Sequence, residues 1–140
     1  MLLGDGKGTP MAALTESANV HEVKLIEKMV SQVRVPKVGR GRPKTKIPRL
    51  IYDKAADSDP LRKRLKAKGT DLIVPHRKGR VKPPVQDGRK LRRYRRRWKI
   101  ERTMAWTRNF RRLVVRYDRY ISMFNAQIQI ACTIIAINRL

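Results

Sequence analysis

One strongly basic segment constrains this chain more than any other feature. Residues 89–116 carry thirteen Lys or Arg residues and a single acid, Glu101. Read as a helix at about 100° per residue, the segment gathers four polar side chains in one narrow sector of the wheel: Tyr94, Arg97, Glu101 and Arg108. An ionised carboxylate is a ligand for a hard divalent cation, and the surrounding cations suit phosphate. The pattern therefore predicts a site on this face rather than a solvated stripe.

The charge of the whole chain narrows its partners. A length of 140 residues suits one domain, and a net charge of +24 with a pI near 11.5 predicts a polyanionic partner. Nucleic acid is the first candidate and an anionic membrane surface the weaker one. A structural component of a nucleoprotein particle fits the same charge. Cys132 is the single cysteine, which excludes a disulfide framework and a zinc cluster.

An uncharged stretch, 121–138, raises the question of a membrane span. It contains five polar residues, Asn125, Gln127, Gln129, Thr133 and Asn138. A single lipid-facing helix of about 20 residues rarely tolerates so many, so the stretch predicts a buried core helix and no membrane partner. The N-terminus lacks the features of a secretory signal. The sequence therefore predicts a cytoplasmic, nucleoid-associated protein.

Periodicity and turn residues predict an alternation of strands and helices along the chain. The pattern indicates an α/β fold with a mostly parallel sheet flanked by helices. Asn19 is predicted to cap the first helix, and Ser58 or Asp59 the second, with Pro60 in its first turn. The segments 35–47 and 76–87 are predicted to be exposed loops, the second of them mobile. The predicted elements are strands in 1–14, a helix over 20–33, a strand over 49–53, a helix over 60–68, a strand over 71–75, a helix over 90–115 and a helix over 119–138.

Asp53 is the second acid of interest because it ends a predicted strand. Ligands of open α/β sheets bind at the carboxyl ends of strands, so a carboxylate there is placed to hold a cation. On position alone, a turn aspartate that caps the next segment is equally compatible. Asp57 and Asp59 are interpreted as ordinary turn and cap residues.

Glu101 and its aromatic neighbours also have structural interpretations. Glu101 can pair with Arg97 one turn back, or relieve repulsion in a cationic helix. Trp98 and Trp106 are predicted to be core residues rather than base-stacking ones. His21 and His76 are isolated in sequence, so neither is interpreted as a metal ligand or a catalytic base.

Several motifs resemble those of bacterial insertion-sequence DDE transposases. Tyr94, two residues, Arg97, three residues, Glu101, six residues and then Arg108 resembles the Tyr-Arg-Glu-Lys signature of that family, with Arg108 in place of Lys. The runs 94–106 and 109–113 are similar to its C-terminal motif. Residues 53–59 resemble its second-aspartate motif, and 17–22 an upstream segment. The similarity covers essentially the whole chain in order.

The resemblance implies an N-terminally truncated RNase H-like core and a metal-dependent reaction on DNA. In the family, two aspartates and one glutamate hold two Mg²⁺ ions for DNA cleavage and strand transfer. By motif match, Asp53 is the second carboxylate and Glu101 the third, both catalytic and metal-binding. The residues expected to bind DNA are Tyr94, Arg97, Arg108, Arg95, Arg96, Lys99, Arg111 and Arg112.

Two departures from the family pattern qualify this expectation. Ala56 stands where the family usually has an aromatic residue, and no position matches the family's first aspartate, which lies upstream of this segment. We therefore expect a C-terminal fragment that binds DNA and is inactive alone. A further chain or upstream segment would supply the missing aspartate, and a homo-oligomer is compatible.

Two other function classes remain open from the sequence. One is a non-enzymatic nucleic-acid-binding protein or a transposase-derived repressor, for which replacing Glu101 would change little. The other is a small metal-dependent nuclease. That reading needs a further carboxylate, for which Asp57 and Asp59 are the nearby candidates.

Overall fold

The computed structural model describes residues 1–17 and 19–139. The chain divides into two compact units, a terminal unit (Met1–Ser17 with Trp98–Leu140) and a central unit (Ala18–Arg97). Two 3-10 helices accompany the regular elements, at Lys54–Ala56 and Arg93–Arg97. The strands and α-helices in chain order are β1 (Leu2–Gly4), β2 (Pro10–Ala13), α1 (Glu22–Ser31), β3 (Arg49–Ile51), α2 (Asp59–Ala67), β4 (Asp71–Ile73), α3 (Gly88–Arg92), α4 (Trp98–Thr107), α5 (Arg111–Val114) and α6 (Ile121–Ile137).

The strands of the described residues form two small sheets. In the central unit β3 and β4 run parallel, with Leu50 opposite Leu72 and Ile51 opposite Ile73. In the terminal unit β1 and β2 run antiparallel. The expectation of a mostly parallel sheet is therefore not confirmed. The described residues form a helix-rich α/β structure, and their parallel strand pair lies in the central unit.

Helix α2 follows the start and stop signals of its sequence. Ser58 is its N-cap, with the Leu61 N–H donating to Ser58 Oγ at 3.5 Å. Pro60 occupies the first turn, where a missing N–H is harmless. Gly69, at a φ of +81°, turns the chain toward β4 just past the helix end. Leu61 and Leu65 are fully buried and fasten the helix in the core of the central unit.

Helix α1 begins later than the sequence suggests. Its N-cap is His21, whose Nδ1 accepts from the Val23 N–H at 3.3 Å. The prediction that Asn19 caps this helix is wrong, because the imidazole supplies the acceptor. Ile26 and Met29 lie on the buried face and complete the core of the central unit together with Val33.

The basic segment is not one helix, so the prediction of a continuous helix over 90–115 is wrong. It consists of α3, the 3-10 helix Arg93–Arg97, α4 and the short α5. Like charges four residues apart destabilise an α-helix by a few tenths of a kcal/mol per pair, and Arg89/Arg93 and Arg93/Arg97 are such pairs. Tyr94, Arg97, Glu101 and Arg108 are therefore not carried by one continuous helix, and the common helical face predicted for them does not apply.

The terminal unit is built around the β1–β2 hairpin. Asp5 closes its glycine turn, because Oδ1 accepts the N–H groups of Lys7 and Thr9, each at 2.8 Å. Helix α4 packs on this turn, where the fully buried Thr103 donates its hydroxyl to the carbonyls of Gly8 and Lys99. Asp5 therefore has a structural role in this turn.

Helix α6 is less buried than its apolar sequence predicts. Ala131 and Ile135 are buried in the terminal unit, whereas Ile130, Ile134 and Ile137 keep 53%, 41% and 61% of their surface exposed. The expectation of a buried core helix therefore holds for one face only. None of the helices in the described residues is long and apolar enough to span a bilayer.

Candidate active site

Asp53 lies at the carboxyl edge of the parallel β3–β4 pair, two residues past the end of β3. Its Oδ1 accepts the N–H of Ala55 at 2.6 Å, which makes Asp53 the N-cap of the 3-10 helix Lys54–Ala56. Its Oδ2 lies 3.9 Å from Nη2 of Arg97. The side chain keeps 41% of its surface exposed, so a ligand from solvent can reach it. The capping role and an accessible second oxygen coexist in one carboxylate.

Arg97 connects Asp53 to the tyrosine of the motif. Besides the contact with Asp53, its Nη1 donates to Tyr94 Oη at 3.4 Å. The 3-10 helix that carries both residues lies against β3. The structure therefore brings Tyr94, Arg97 and Asp53 together within the central unit.

Tyr52 places a phenol hydroxyl, another ionisable group, near this edge. Its hydroxyl donates to Glu22 Oε2 at 2.9 Å, which ties the start of α1 to the end of β3. Burial and the hydrogen bond to Glu22 raise the pKa of Tyr52, and the charge of Asp53 adds to the rise. Tyr52 is therefore a neutral donor at physiological pH. Sequence reasoning did not single it out, although its position beside Asp53 is a usable signal.

Glu101 lies in the terminal unit, on an exposed face of α4. The opposite face of the helix holds the glycine turn. There Lys99 Nζ donates to Gly6 O at 2.6 Å and Arg102 Nη2 donates to Lys7 O at 3.2 Å. Helix α4, which carries Glu101, is thus fixed to the glycine turn by its opposite face. Lys99 is half-buried and takes part in this anchoring, and its role in DNA binding stays a prediction.

Both tryptophans contact guanidinium groups through their rings. The Arg102 guanidinium lies over both rings, 4.8 Å from the centroid of Trp98 and 4.9 Å from that of Trp106. Arg139 lies over Trp106 at 4.8 Å as well. Half of the Trp98 surface is exposed. The core assignment of Trp98 is therefore wrong, and cation–π contacts explain the placement of both rings.

Most of the other predicted DNA-binding cations are exposed. Five guanidinium side chains face solvent and are free to meet phosphate groups on geometric grounds: Arg95, Arg96, Arg108, Arg111 and Arg112. The first two belong to the central unit and the others to the terminal unit. Exposed cations of this kind supply the salt-dependent part of DNA binding.

Asp57 is the hub of a buried ion cluster that the sequence did not reveal. Its side chain is only 3% exposed, and it meets the guanidinium groups of Arg62 and Arg80. The N–H of Arg77 donates to Oδ2 at 2.9 Å, and Nδ1 of His76 lies 3.1 Å from Oδ1. Burial alone would raise the pKa of this carboxyl. The hydrogen bonds from Arg77, Arg62 and His76 outweigh burial and lower the pKa of Asp57 to about 2.

His76 is fixed on both sides of its ring. Its Nε2 accepts the N–H of Val85 at 3.2 Å, so in the neutral ring the proton lies on Nδ1 and is donated to Asp57. The sequence assigns His76 no metal-ligand or nucleophile partner, and in the structure it is hydrogen-bonded to Asp57. A signal available in the sequence is that His76 lies three residues past the end of β4, as Asp53 lies two residues past the end of β3.

The loop 76–87, predicted to be mobile, is tied to the turn that carries Asp53. The Arg77 guanidinium donates to the carbonyls of Lys54 at 3.2 Å and Ala55 at 2.7 Å, which belong to the 3-10 helix that Asp53 caps. Farther along, the Gln86 side-chain amide donates to Val74 O at 2.9 Å and accepts the Val74 N–H at 3.3 Å. The loop therefore holds the Asp53 turn in place.

The described residues do not by themselves complete a metal centre. Within 1–17 and 19–139, no group of three His, Cys, Asp or Glu side chains is arranged to hold a metal ion. Asp59, a candidate extra ligand in the nuclease reading, is bonded to Arg80 at 2.8 Å, and Asp57 is enclosed by its own cluster. The acidic side chains of the described residues thus fall short of an independent two-metal site.

Comparison with known proteins decides the family. Residues 1–138 match the sequence model of the family described as Transposase DDE domain. This chain belongs to the DDE transposase family. A Burkholderia cepacia protein named "Putative transposase for insertion sequence element IS402" is 31% identical over 140 aligned residues, which cover 99% of this chain and 62% of that relative. No solved structure matches the chain.

Family membership confirms the resemblance drawn from the motifs. The family implies an RNase H-like fold, divalent metal ions and DNA as substrate. The chain spans 62% of the length of the curated relative that it matches.

Proposed function

We propose that this chain is a DNA-binding segment of an insertion-sequence transposase and contributes two carboxylates, Asp53 and Glu101, to DNA strand cleavage and strand transfer. The observation that carries the proposal is the position of Asp53 at the carboxyl edge of a parallel strand pair, with a guanidinium 3.9 Å away. Membership of the DDE transposase family supports it.

Arg97 is the proposed phosphate-holding group beside Asp53. Its side chain is 35% exposed and contacts both Tyr94 and Asp53, so a phosphate oxygen that approaches the acid also meets a cation. Arg108 and the neighbouring exposed arginines would neutralise further phosphates and set the affinity for DNA. These roles describe a DNA partner in the nucleoid and no membrane partner.

The family's reaction uses Mg²⁺, proposed as two ions, to activate the attacking oxygen and stabilise the leaving one. Asp53 and Glu101 would be two of the acidic ligands. A third is needed, for which no motif match exists here. We therefore propose that the 140-residue chain by itself binds DNA without cutting it, and that a further chain or segment, in a homo-oligomer or otherwise, completes the site.

DNA binding is tested by its dependence on salt and on Arg97. We expect the affinity for duplex DNA to fall steeply between about 50 and 200 mM salt, as counterion release requires. Arg97→Ala should weaken binding, whereas Lys63→Ala, an exposed cation on α2, serves as the charge-matched control. Affinity that stays flat with salt would contradict the proposal.

The carboxylate role is tested separately with Mn²⁺ as a paramagnetic substitute for Mg²⁺. The Ala55 N–H lies against Asp53 Oδ1, so Mn²⁺ bound at Asp53 should broaden its resonance, and Asp53→Asn should remove the effect. DNA binding without such broadening would favour a non-enzymatic DNA-binding protein. Metal-dependent DNA cleavage by this chain that is lost in Glu101→Gln would overturn the proposed inactivity.

A further inference from the structure

A second candidate binding site lies at the junction of α5 and α6. A cleft of about 540 Å³ opens there, lined by Arg111, Arg112, Tyr117, Asp118, Arg119, Tyr120 and Met123. All of its residues belong to the terminal unit. Its size suits a small organic ligand, and its lining combines aromatic rings with guanidinium groups.

Contacts of Arg116 hold the segment that carries the aromatic residues of the cleft. The Arg116 guanidinium lies over the Phe124 ring of α6, 5.2 Å from its centroid, and Arg116 Nε donates to Asp118 O at 3.2 Å. These contacts tie the connection between α5 and α6 to the helix behind it. The two tyrosines of this connection nevertheless remain open, with Tyr117 73% and Tyr120 63% exposed.

The charge of the cleft is positive on its open side. Arg111, Arg112 and Arg119 are exposed, whereas the acid of the lining, Asp118, has its Oδ2 buried. Three guanidinium groups against one carboxylate leave the lining with a net positive charge, which attracts an anion from solvent. Large exposed phenol rings among exposed guanidinium groups leave apolar area uncovered, and a ligand with both a flat ring and a phosphate would cover it.

We propose that this cleft binds an unpaired nucleotide of a DNA strand, with the base against Tyr117 and Tyr120 and the flanking phosphates against the three arginines. The proposal rests on DNA as the partner in the proposed function and adds a site for single-stranded DNA. A paired base is stacked on its neighbours and offers no free face to a tyrosine. An unpaired base offers that face to the rings, and stacking of this kind tolerates any base.

The test compares two pairs of substitutions in the full chain. Tyr117→Phe with Tyr120→Phe keeps the rings, whereas Tyr117→Leu with Tyr120→Leu removes them. Affinity is measured by fluorescence anisotropy for a labelled single-stranded oligothymidylate and for a duplex of equal length. We expect the leucine pair to weaken single-strand binding by about tenfold and the phenylalanine pair to leave it unchanged. Duplex affinity should change by less than about twofold in either variant.

Stacking itself is detected with 2-aminopurine in the single strand. Its fluorescence should fall on binding to the native chain and to the phenylalanine pair, but not on binding to the leucine pair. The ring-dependent difference should also persist when salt is raised, because stacking is not screened. Circular dichroism and urea unfolding verify that the leucine pair is folded, as expected for two exposed side chains.

The possible outcomes separate this inference from the proposed function. Equal single-strand affinity for the leucine and phenylalanine pairs would overturn the nucleotide site while leaving duplex binding intact. A leucine pair that weakens duplex and single strand alike would overturn it too, in favour of a general electrostatic surface. A chain that binds neither form of DNA would refute the proposed function itself.

Discussion

Replacing Asp57 by Asn should destabilise the central unit in a way that depends on pH. The substitution keeps the shape of the side chain and removes its charge from a position that is 3% exposed. Arg62, itself 11% exposed, then loses its nearer carboxylate and keeps Asp59 Oδ1 at 3.6 Å. Removing one member of a buried ion pair is costly because the remaining charge stays desolvated.

The magnitude follows from the pKa. The folded protein lowers the pKa of Asp57 from an ordinary value of 3.8 to about 2. At 1.36 kcal/mol per pKa unit, the shift corresponds to about 2 kcal/mol of stability. Because the unfolded chain binds the proton more readily, this stability is present above about pH 4 and is lost as the pH falls toward about 2. Asp57→Asn should therefore lower the free energy of unfolding by about 2–4 kcal/mol near neutral pH.

The measurement is urea unfolding followed by far-ultraviolet circular dichroism over a range of pH. The difference between the native chain and Asp57→Asn should shrink by about 2 kcal/mol between about pH 6 and pH 2. Asp71→Asn is the control, since Asp71 is 37% exposed and its pair with Lys90 is a surface contact worth less than about 1 kcal/mol. A difference for Asp57→Asn that is constant with pH would refute the reasoning.

Three further substitutions test the contacts that hold each unit together. Arg77→Ala should speed hydrogen exchange at the Ala55 amide, because it loosens the turn that Asp53 caps. The control Lys78→Ala should not change this rate. Equal exchange rates in the two variants would show that Arg77 does not hold the turn. Thr103→Val should lower the free energy of unfolding by about 1–3 kcal/mol, because the Gly8 carbonyl loses its buried donor. Thr103→Ser keeps the hydroxyl and should retain most of the native stability. Both are measured by tryptophan fluorescence during unfolding in urea. Gly8→Ala should destabilise the same unit by at least about 1 kcal/mol, because its φ is +91° and a Cβ would lie 3.0 Å from the Lys99 carbonyl; an unchanged unfolding midpoint would contradict this.

Local signals in the sequence predicted some elements because the physics that forms them is local. The cap, the proline and the stop glycine of α2 all lie within a dozen residues and act as expected. The break in the basic segment was missed because a helical wheel counts faces and ignores repulsion. Arg93 lies between like charges at Arg89 and Arg97, and the chain adopts a 3-10 helix there.

The sequence predicts the part of the candidate site that depends on a single strand. It does not predict the contacts that depend on the pairing of two strands. The position of Asp53, two residues past the end of β3, can be deduced from the strand pattern alone. Among the partners of Asp57, His76 and Arg77 lie 19 and 20 residues away, beyond β4, and pairing of the two strands brings them to it. The exposure of the α6 isoleucines was also out of reach, because periodicity records an apolar face and not whether a neighbour covers it.

Gln86 has a consequence for how this chain behaves beside other copies of itself. The Ile73 carbonyl accepts from Tyr52 on the β3 side, so the N–H and C=O of the next residue, Val74, point to the outer edge of β4. The Gln86 amide occupies both groups there, as a neighbouring strand would. An open edge is a template for strand addition and aggregation. A single side chain thus closes the β4 edge at Val74 against edge-to-edge association.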